Sequence, residues 1–426
     1  MNLHPCRKNA YGRCVEPADT VRHLEALLGS RHDYWIFEEA VAPHLHWSAL
    51  FVDRLEFRAM GKGTDAVQSR AGALAEAAEW LTPRAVNALP GYLSACQDEL
   101  EKPLRLEALL RHIANATPPL LERIKASEAA RHWVDGYSLA RGCPVKVPIE
   151  YVRRIHGPNG KAAGNCLEEA IVHATHEIFE RRVHITVLKN RMVLPTIRPE
   201  TVASPVIQSQ LAFLRDQEIE VTIKDLSLGG VLPCVGAYFR DRGIPAEYQF
   251  HHAFKVGASF NREEALVRVF TEYVQGRRKS EFRPRSPDAL ARILEPDFRA
   301  LPSQDEACDN FLSAFMFGFV PLRDAPFLEA GDRVPFEADP GPDDCLEDIG
   351  RARRLCETLG KDYIAVDLSD PEARFAVAQV IIPGYSDVLP FHPPSSPALF
   401  RSITRRDVLA GYAAPAGRSG QAQFSA

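Results

Sequence analysis

Apolar residues recur three and four apart in "PADTVRHLEALLGS", with Pro17 and Asp19 in front and Gly29 behind, which predicts a capped helix. Residues 47–60 read as a pair of strands leading into "GKGT". Helical spacing returns over 65–82 and stops at Pro83. Residues 83–130 are irregular, then helical, and read as an insertion, whereas "WVDGYSLARGCPVKVPIEYV" reads as strands joined by a turn. A helix is predicted over 164–182, another over 207–218 and a third over 262–277, with "IEVTIKDLS" and "VLPCVGAYF" as strands between the last two. Residues 284–343, rich in Pro and Asp, read as loops and short helices. "CLEDIGRARRLCETLG" is a further helix, and "YIAVDLS" and "AVAQVIIPG" are strands. The mixture predicts an α/β chain of the mixed α+β kind. Residues 1–50 form an N-terminal segment with one helix packed on the core, 51–390 the main domain, and 391–426 a Pro/Ser/Gly-rich tail ordered in part.

Three of the predicted helices share one feature. "GNCLEEAIVHATHEIFERR" (164–182) carries Asn165, Glu169, Glu177 and Glu180 within about 120° of one another at 100° per residue, while Glu168 points away and is expected to be dispensable. In "GASFNREEALVRVFTEYVQGRR", Glu264, Arg268, Glu272 and Gln275 fall within an arc of about 80°, opposite Ala265, Leu266, Val269 and Phe270. The helix after "GKGT" carries Glu76 and Glu79. One such stripe is ordinarily a solvated ladder of weak ion pairs. Three of them facing one another would repel unless cations filled the space, and Mg²⁺, which prefers oxygen ligands and is completed by substrate phosphates, fits that space. Arg181 and Arg268 would then hold phosphate oxygens. Deleting one acid, Glu180 or Glu272, should stop turnover while relieving repulsion, so melting temperature should hold or rise. No G-x-x-x-x-G-K-[ST] loop is present, because Gly63 separates Lys62 from Thr64.

Composition narrows the classes. At 426 residues, with 46% hydrophobic and 25% charged content, the chain reads as an ordinary globular protein, and a net charge of −5 speaks against nucleic acid as a partner. It has no 18-residue apolar run and no signal-peptide h-region, so a cytoplasmic location without membrane contact is expected. Nine cysteines without a C-x-x-C pair speak against a zinc ribbon; Cys6 and Cys14, in a polar segment, are the candidate exposed thiols. His251 and His252 could shuttle a proton, although adjacent histidines at a strand end are more often structural. His44 and His46 form an H-x-H without a nearby acid. "RRKSEFRPRS" (277–286) reads as a solvated basic loop, with contact to an acidic leader peptide as the alternative.

The three glutamate helices resemble the YcaO family, whose members bind ATP and Mg²⁺ without a P-loop. The resemblance rests on "GKG" followed by "EAAE", on "GN..EEA...A..E..ER", on "EAL.R..TE..Q.R" and on "PGY" at Pro383–Tyr385, and it spans roughly residues 50–390. It implies a YcaO-like fold whose sheets are flanked by these helices, and 51–390 as the catalytic domain. It also implies residue roles: Lys62, Glu76, Asn165, Glu169, Arg181, Glu264, Arg268 and Gln275 at ATP; Glu79, Glu177, Glu180 and Glu272 at Mg²⁺; and Glu180, Arg181 and Glu272 as catalytic. Two departures stand in the first helix, Gly72 where Ser is common and Trp80 where Arg commonly follows the second Glu.

The implied reaction is ATP-dependent phosphorylation of a peptide backbone amide, ending in an azoline ring or a thioamide. Azoline-forming members often end in a PxPxP tail, whereas this chain ends "GRSGQAQFSA" and shows no obvious fused leader-binding domain in its first 50 residues. That combination leans toward a thioamide and toward a separate leader-binding or sulfur-delivery partner. Family members are often dimers, so a homodimer belongs among the expected assemblies. The rival readings are a non-catalytic accessory partner, for example a methylthiotransferase accessory factor, and a carboxylate–amine ligase with a similar Mg–ATP site.

Overall fold

A computed structural model describes residues 1–53, 57–110, 122, 125–246, 248, 251–294 and 325–386. Its strands are β1 (Tyr34–Ala42), β2 (Leu45–Val52), β3 (Phe57–Gly63), β4 (Leu93–Ser94), β5 (His132–Ser138), β6 (Cys143–Pro148) and β7 (Lys161–Gly164). They continue as β8 (Thr196–Ile197), β9 (Ile219–Asp225), β10 (Cys234–Asp241), β11 (His252–Ala258), β12 (Arg333–Val334), β13 (Ile364–Asp367) and β14 (Ala376–Ile381). The helices are α1 (Pro17–Gly29), α2 (Ala66–Leu81), α3 (Leu106–Leu110), α4 (Ile149–His156) and α5 (Leu167–Asn190). After them come α6 (Pro205–Asp216), α7 (Arg262–Val274), α8 (Pro287–Ile293), α9 (Pro326–Glu329) and α10 (Cys345–Thr358). The chain divides into unit I (Met1–Cys6, Thr82–Ile178, Cys345–Ala426) and unit II (Arg7–Leu81, Phe179–Asp344).

Unit II contains an antiparallel sheet β1-β2-β3 and a five-stranded sheet in the order β11-β10-β9-β8-β12, where β12 runs parallel to β8. Both carry a helix pressed hard against a glycine of a strand. A Cβ on Gly61 of β3 would lie 1.9 Å from the Ser69 carbonyl oxygen of α2, and one on Gly257 of β11 would lie 2.3 Å from the Ala265 carbonyl oxygen of α7. Only a residue without a side chain permits that approach. The same contact explains Gly72 as a departure, since a Cβ there would sit 3.2 Å from the Gly61 Cα.

Helix α7 starts where the Asn261 side chain accepts the Glu264 N–H at 3.0 Å, and it buries Ala265, Leu266, Val269, Phe270, Tyr273 and Val274. That face joins the core of Trp47, Phe239 and Phe282, with Phe239 stacked on Tyr273 at 3.9 Å. Glu264, Arg268 and Glu272 are therefore left on the other side of the helix.

Unit I is built on an antiparallel sheet in the order β4-β5-β13-β14-β7, with β6 paired to β5. Its part of α5 is anchored by a hydrogen bond at 2.7 Å between the buried hydroxyls of Thr175 and Tyr363.

Several expectations change. Residues 1–50 hold β1 and most of β2 as well as the single helix expected, and "IEYV" opens α4 instead of ending a strand. The basic run 277–286 is solvated only in part. Arg278, Lys279 and Ser280 are exposed, whereas the buried Arg277 and the half-buried Arg285 both pair with Asp241, and Arg277 lies over the rings of Tyr273 and Phe282. The tail 391–426 lies outside the described residues, as does 295–324 within the Pro/Asp-rich region.

Candidate functional site

In unit II, β3 carries Lys62, α2 carries Glu76 and Glu79, the latter part of α5 carries Glu180 and Arg181, and α7 carries Glu264, Arg268 and Glu272. The structure ties some of these together directly. Lys62 is ion-paired with one oxygen of the Glu272 carboxylate, and the Lys255 ammonium on β11 lies 3.8 Å from the other. Lys255 is only 7% exposed. Burial pushes its pKa down to about 7, the Lys62 charge pushes the same way, and the Glu180 carboxylate opposes them. Glu180 itself is half-buried and makes no hydrogen bond or ion pair among the described residues.

Arg268 completes the stripe on α7. Its Nη1 is buried and finds no acceptor among the described residues. A buried guanidinium nitrogen without a partner is costly, and it marks a position suited to an anion.

Two of the acids already have work within the fold. Glu76 accepts the Met60 backbone N–H at 2.7 Å and so holds β3, and with it Lys62, to α2. Burial raises the Glu76 pKa, against the Met60 amide, Lys62 and Arg58. Glu264 accepts the Ser259 hydroxyl at 3.0 Å.

The turn Asn9–Gly12 packs against that same Glu264 carboxylate, and Tyr11 of the turn donates to Asp65 at 3.1 Å. Gly12 has φ +70°, and a Cβ there would stand 2.8 Å from Glu264 Oε2. Gly12→Ala is therefore expected to cost about 1–2 kcal/mol in thermal unfolding through its left-handed backbone. It should also displace Glu264 and weaken ATP binding in a calorimetric titration. Lost stability with unchanged ATP affinity would remove Glu264 from the nucleotide contacts.

In unit I, Asn165 sits in the bend between β7 and α5, not on the helix as its spacing suggested, yet its amide reaches Glu169 at 3.1 and 3.2 Å. Glu168 is buried and accepts the His4 backbone N–H at 2.6 Å. Cys166, inside the same motif, has its pKa pushed up to about 12, chiefly by burial. Glu177 is half-buried, one helical turn before Glu180 on the continuous α5.

Gln275 falls outside the helical stripe. Helix α7 ends at Val274, and Gln275 is extended (φ −58°, ψ 125°) ahead of Gly276 with φ +80°. Helical arithmetic therefore does not place it beside Glu272.

Other candidates have contacts within the fold. His252 Nδ1 bonds the Tyr238 hydroxyl, and His251 Nδ1 pairs with the Ile244 carbonyl at 2.5 Å. His44 takes a left-handed conformation (φ 59°) in the turn between β1 and β2. Cys6 and Cys14 are each half-buried, so neither stands out as the exposed thiol expected.

Lys255 is the residue that sequence reasoning missed. The signal was available, since a lone lysine sits in "HAFKVGA", a strand in which every residue is buried.

The family described as "YcaO cyclodehydratase, ATP-ad Mg2+-binding" matches residues 60–386. The chain belongs to the YcaO family. ATP and Mg²⁺ come with that membership, and the chain's mixed sheets and helices follow solved YcaO and heterocyclase structures. Over 90% of this chain and 54% of the other, the fold is similar to a heterocyclase in complex with substrate and cofactor, at a TM-score of 0.65 and 20% identity. It is also similar to YcaO from Methanopyrus kandleri bound with AMPPCP and Mg²⁺, at a TM-score of 0.59 and 19% identity over 93% of this chain and 100% of that one. Among curated proteins, the ribosomal protein S12 methylthiotransferase accessory factor YcaO of Escherichia coli K12 is 31% identical over 137 residues, 31% of this chain and 22% of the relative. The chain spans only 39% and 22% of the curated relatives it matches.

The residues present fit the nucleotide and its metal. Glu180 has no hydrogen bond or ion pair among the described residues, Glu272 is exposed enough to exchange one, and Arg268 Nη1 lacks the acceptor that a phosphate oxygen would supply. Among the described residues, no helix is long and apolar enough to cross a membrane.

Proposed function

We propose that this protein phosphorylates a backbone amide oxygen of a peptide or protein substrate with ATP, preparing that amide for thioamide or azoline formation with a separate partner protein. The observation that carries the reading is the cluster of Glu272, Lys62, Lys255 and the Arg268 Nη1 that lacks an acceptor, set on family motifs.

In this reading Glu180 and Glu272, with Glu79 and Glu177, hold Mg²⁺, while Arg181, Arg268 and Lys62 hold phosphate oxygens. Asn165 and Glu169 contact the nucleotide as a hydrogen-bonded pair, and Glu264 contacts it from the first turn of α7. Glu76 acts through β3, by keeping Lys62 in place. Gln275 keeps its nucleotide role only from an extended backbone beyond α7. Bound Mg–ATP supplies the phosphoryl group that turns a poor oxygen leaving group into a good one. The side chains contribute position and charge, on which catalysis of phosphoryl transfer chiefly depends.

The test is peptide-dependent phosphate release followed by intact-mass measurement, using peptides with Cys, Ser or Thr at the modified position, each with and without sulfide. Donor-independent loss of one water would decide for the azoline. Exchange of oxygen for sulfur that persists when the position becomes Ala would decide for the thioamide. An acyl phosphate trapped by hydroxylamine from a free carboxylate would instead select the ligase reading.

The E. coli accessory-factor relative favours a second reading, in which the chain assists another enzyme's chemistry. Under it, ATP turnover would not depend on peptide.

A further inference from the structure

Resting on the reading of Lys62 and Glu264 as nucleotide contacts, we propose that the turn Asn9–Gly12 is a brace of the nucleotide site, with Tyr11 as a positioning residue that ties the start of α2 to α7. The turn lies outside the stretch 60–386 that matches the family. A surface loop is ordinarily among the more mobile parts of a fold, but this one has its shape fixed by a single side chain. Asn9 Oδ1 accepts the N–H groups of Tyr11 at 2.9 Å and Arg13 at 3.1 Å, and Asn9 Nδ2 donates to the Val15 carbonyl at 3.0 Å and the Glu16 carboxylate at 3.1 Å. The backbone adds two bonds of its own, Asn9 N–H to the Arg13 carbonyl at 2.7 Å and Gly12 N–H to the Asn9 carbonyl at 3.0 Å.

What this rigid turn touches decides its role. The Tyr11 hydroxyl donates to Asp65 Oδ2 at 3.1 Å, while Oδ1 of the same carboxylate caps α2 by accepting the Gln68 N–H at 2.8 Å. Gln68 Oε1 in turn accepts the Thr64 N–H at 2.6 Å and the Thr64 hydroxyl at 3.0 Å. The chain running from Lys62 into α2 therefore converges on one carboxylate, and Tyr11 holds one of its two oxygens. One residue on, Gly12 sets its bare Cα against the Glu264 carboxylate, whose Oε2 also accepts the Ser259 hydroxyl at 3.0 Å. Glu264 is thus seated between Ser259 and the Gly12 backbone. Two adjacent residues of one stiff turn reach both the Lys62–Asp65 segment and the first turn of α7. A hydrogen bond to a carboxylate is stronger than a neutral one, and small misplacements of positioning groups are costly, so the Tyr11 hydroxyl bears on both contacts at once.

Calorimetric titration of the full chain with Mg·AMPPNP tests the brace, together with KM for ATP and kcat from peptide-dependent phosphate release. Tyr11→Phe keeps the ring and removes only the hydroxyl. It should weaken Mg·AMPPNP and raise the KM for ATP by roughly three- to tenfold with kcat near wild type, because the loss falls on placement of the bound nucleotide. Asp65→Ser keeps an oxygen that caps α2 but has none left for Tyr11, and should show a loss of the same size. The double variant should be no weaker than either single one, since both changes remove the same bond. By reciprocity, Mg·AMPPNP should slow hydrogen exchange at the Tyr11 and Arg13 amides of the wild type, and do so far less in Tyr11→Phe.

Unchanged Mg·AMPPNP affinity in Tyr11→Phe would overturn the proposal even with a lowered melting temperature, because the turn would then serve stability alone. Losses that multiply in the double variant would overturn it too, since Tyr11 and Asp65 would be acting apart. Should Asp65→Ser fail to fold, the affinity and exchange results of Tyr11→Phe decide the matter by themselves. A wild-type chain that does not bind Mg·AMPPNP at all would fell the reading of the whole site together with this inference, whereas a normal wild type with an indifferent Tyr11→Phe would fell this inference alone.

Discussion

Glu180→Gln is expected to lower peptide-dependent ATP turnover by at least roughly 10²–10³-fold, the scale of losing one preorganised transition-state contact, while leaving the melting temperature where it is. Glu180 is half-buried and has no hydrogen bond or ion pair to lose among the described residues. Removing its charge therefore breaks no hydrogen bond or ion pair among the described residues and takes away only a through-space attraction to Lys255. Glu272→Gln should abolish turnover to the same extent with a different stability signature. Repulsion among acids alone would have made that deletion neutral or stabilising, but Glu272 is not an unpaired acid. It sits between Lys62 and Lys255, and its loss takes a carboxylate away from two ammonium groups, one of them buried. The cost should be about 1–2 kcal/mol, less than the ~3–5 kcal/mol of breaking a fully buried pair because the carboxylate is partly in solvent. Steady-state phosphate release and thermal unfolding on the same preparations separate the two effects. If Glu180→Gln retained turnover, the metal assignment on α5 would fall. If Glu272→Gln melted with wild type, the two lysines would not depend on that carboxylate.

The stripe on α7 was legible because its acids and its arginine recur every fourth residue while the opposite face is wholly apolar, a pattern in which helix and orientation specify each other. The end of that helix was also written in the chain, by Gly276 after Gln275, but the longer reading to residue 277 carried Gln275 onto a stripe it does not share. At the other motif, the bend at Asn165–Cys166 shifts the helix start without undoing the Asn165–Glu169 pair, since one short side chain spans the turn either way. What could not be read locally was anything that depends on a distant partner. The burial of Glu168 could not be read because its hydrogen-bond partner, His4, lies 164 residues away in the chain. Arg277 and Arg285 could not be told from the exposed middle of the 277–286 run because Asp241, which pairs with both, belongs to β10. Lys255 escaped notice for the opposite reason, since an apolar strand context absorbs a single lysine unless its burial is known.

Removing divalent metal should abolish ATP binding. In the proposed site Glu79, Glu177, Glu180, Glu264 and Glu272 are set against Lys62, Lys255, Arg181 and Arg268, and a metal-free ATP brings about four more negative charges at neutral pH by the phosphate titration range. Without Mg²⁺ those charges would meet Glu180, which has no ion pair among the described residues. In the proposed reading the carboxylates would hold the metal, and a phosphate oxygen would supply the acceptor that Arg268 Nη1 lacks among the described residues. Calorimetry with ATP should therefore give a measurable heat of binding in Mg²⁺ and none in EDTA. The same linkage should appear in stability: Mg–ATP at about 100 times its Kd stabilises by about 2.7 kcal/mol, whereas ATP or Mg²⁺ alone should move the melting temperature far less. Equal ATP affinity with and without EDTA would mean that the glutamates do not hold a metal, and the three-helix site would have to be rebuilt around the lysines and arginines alone.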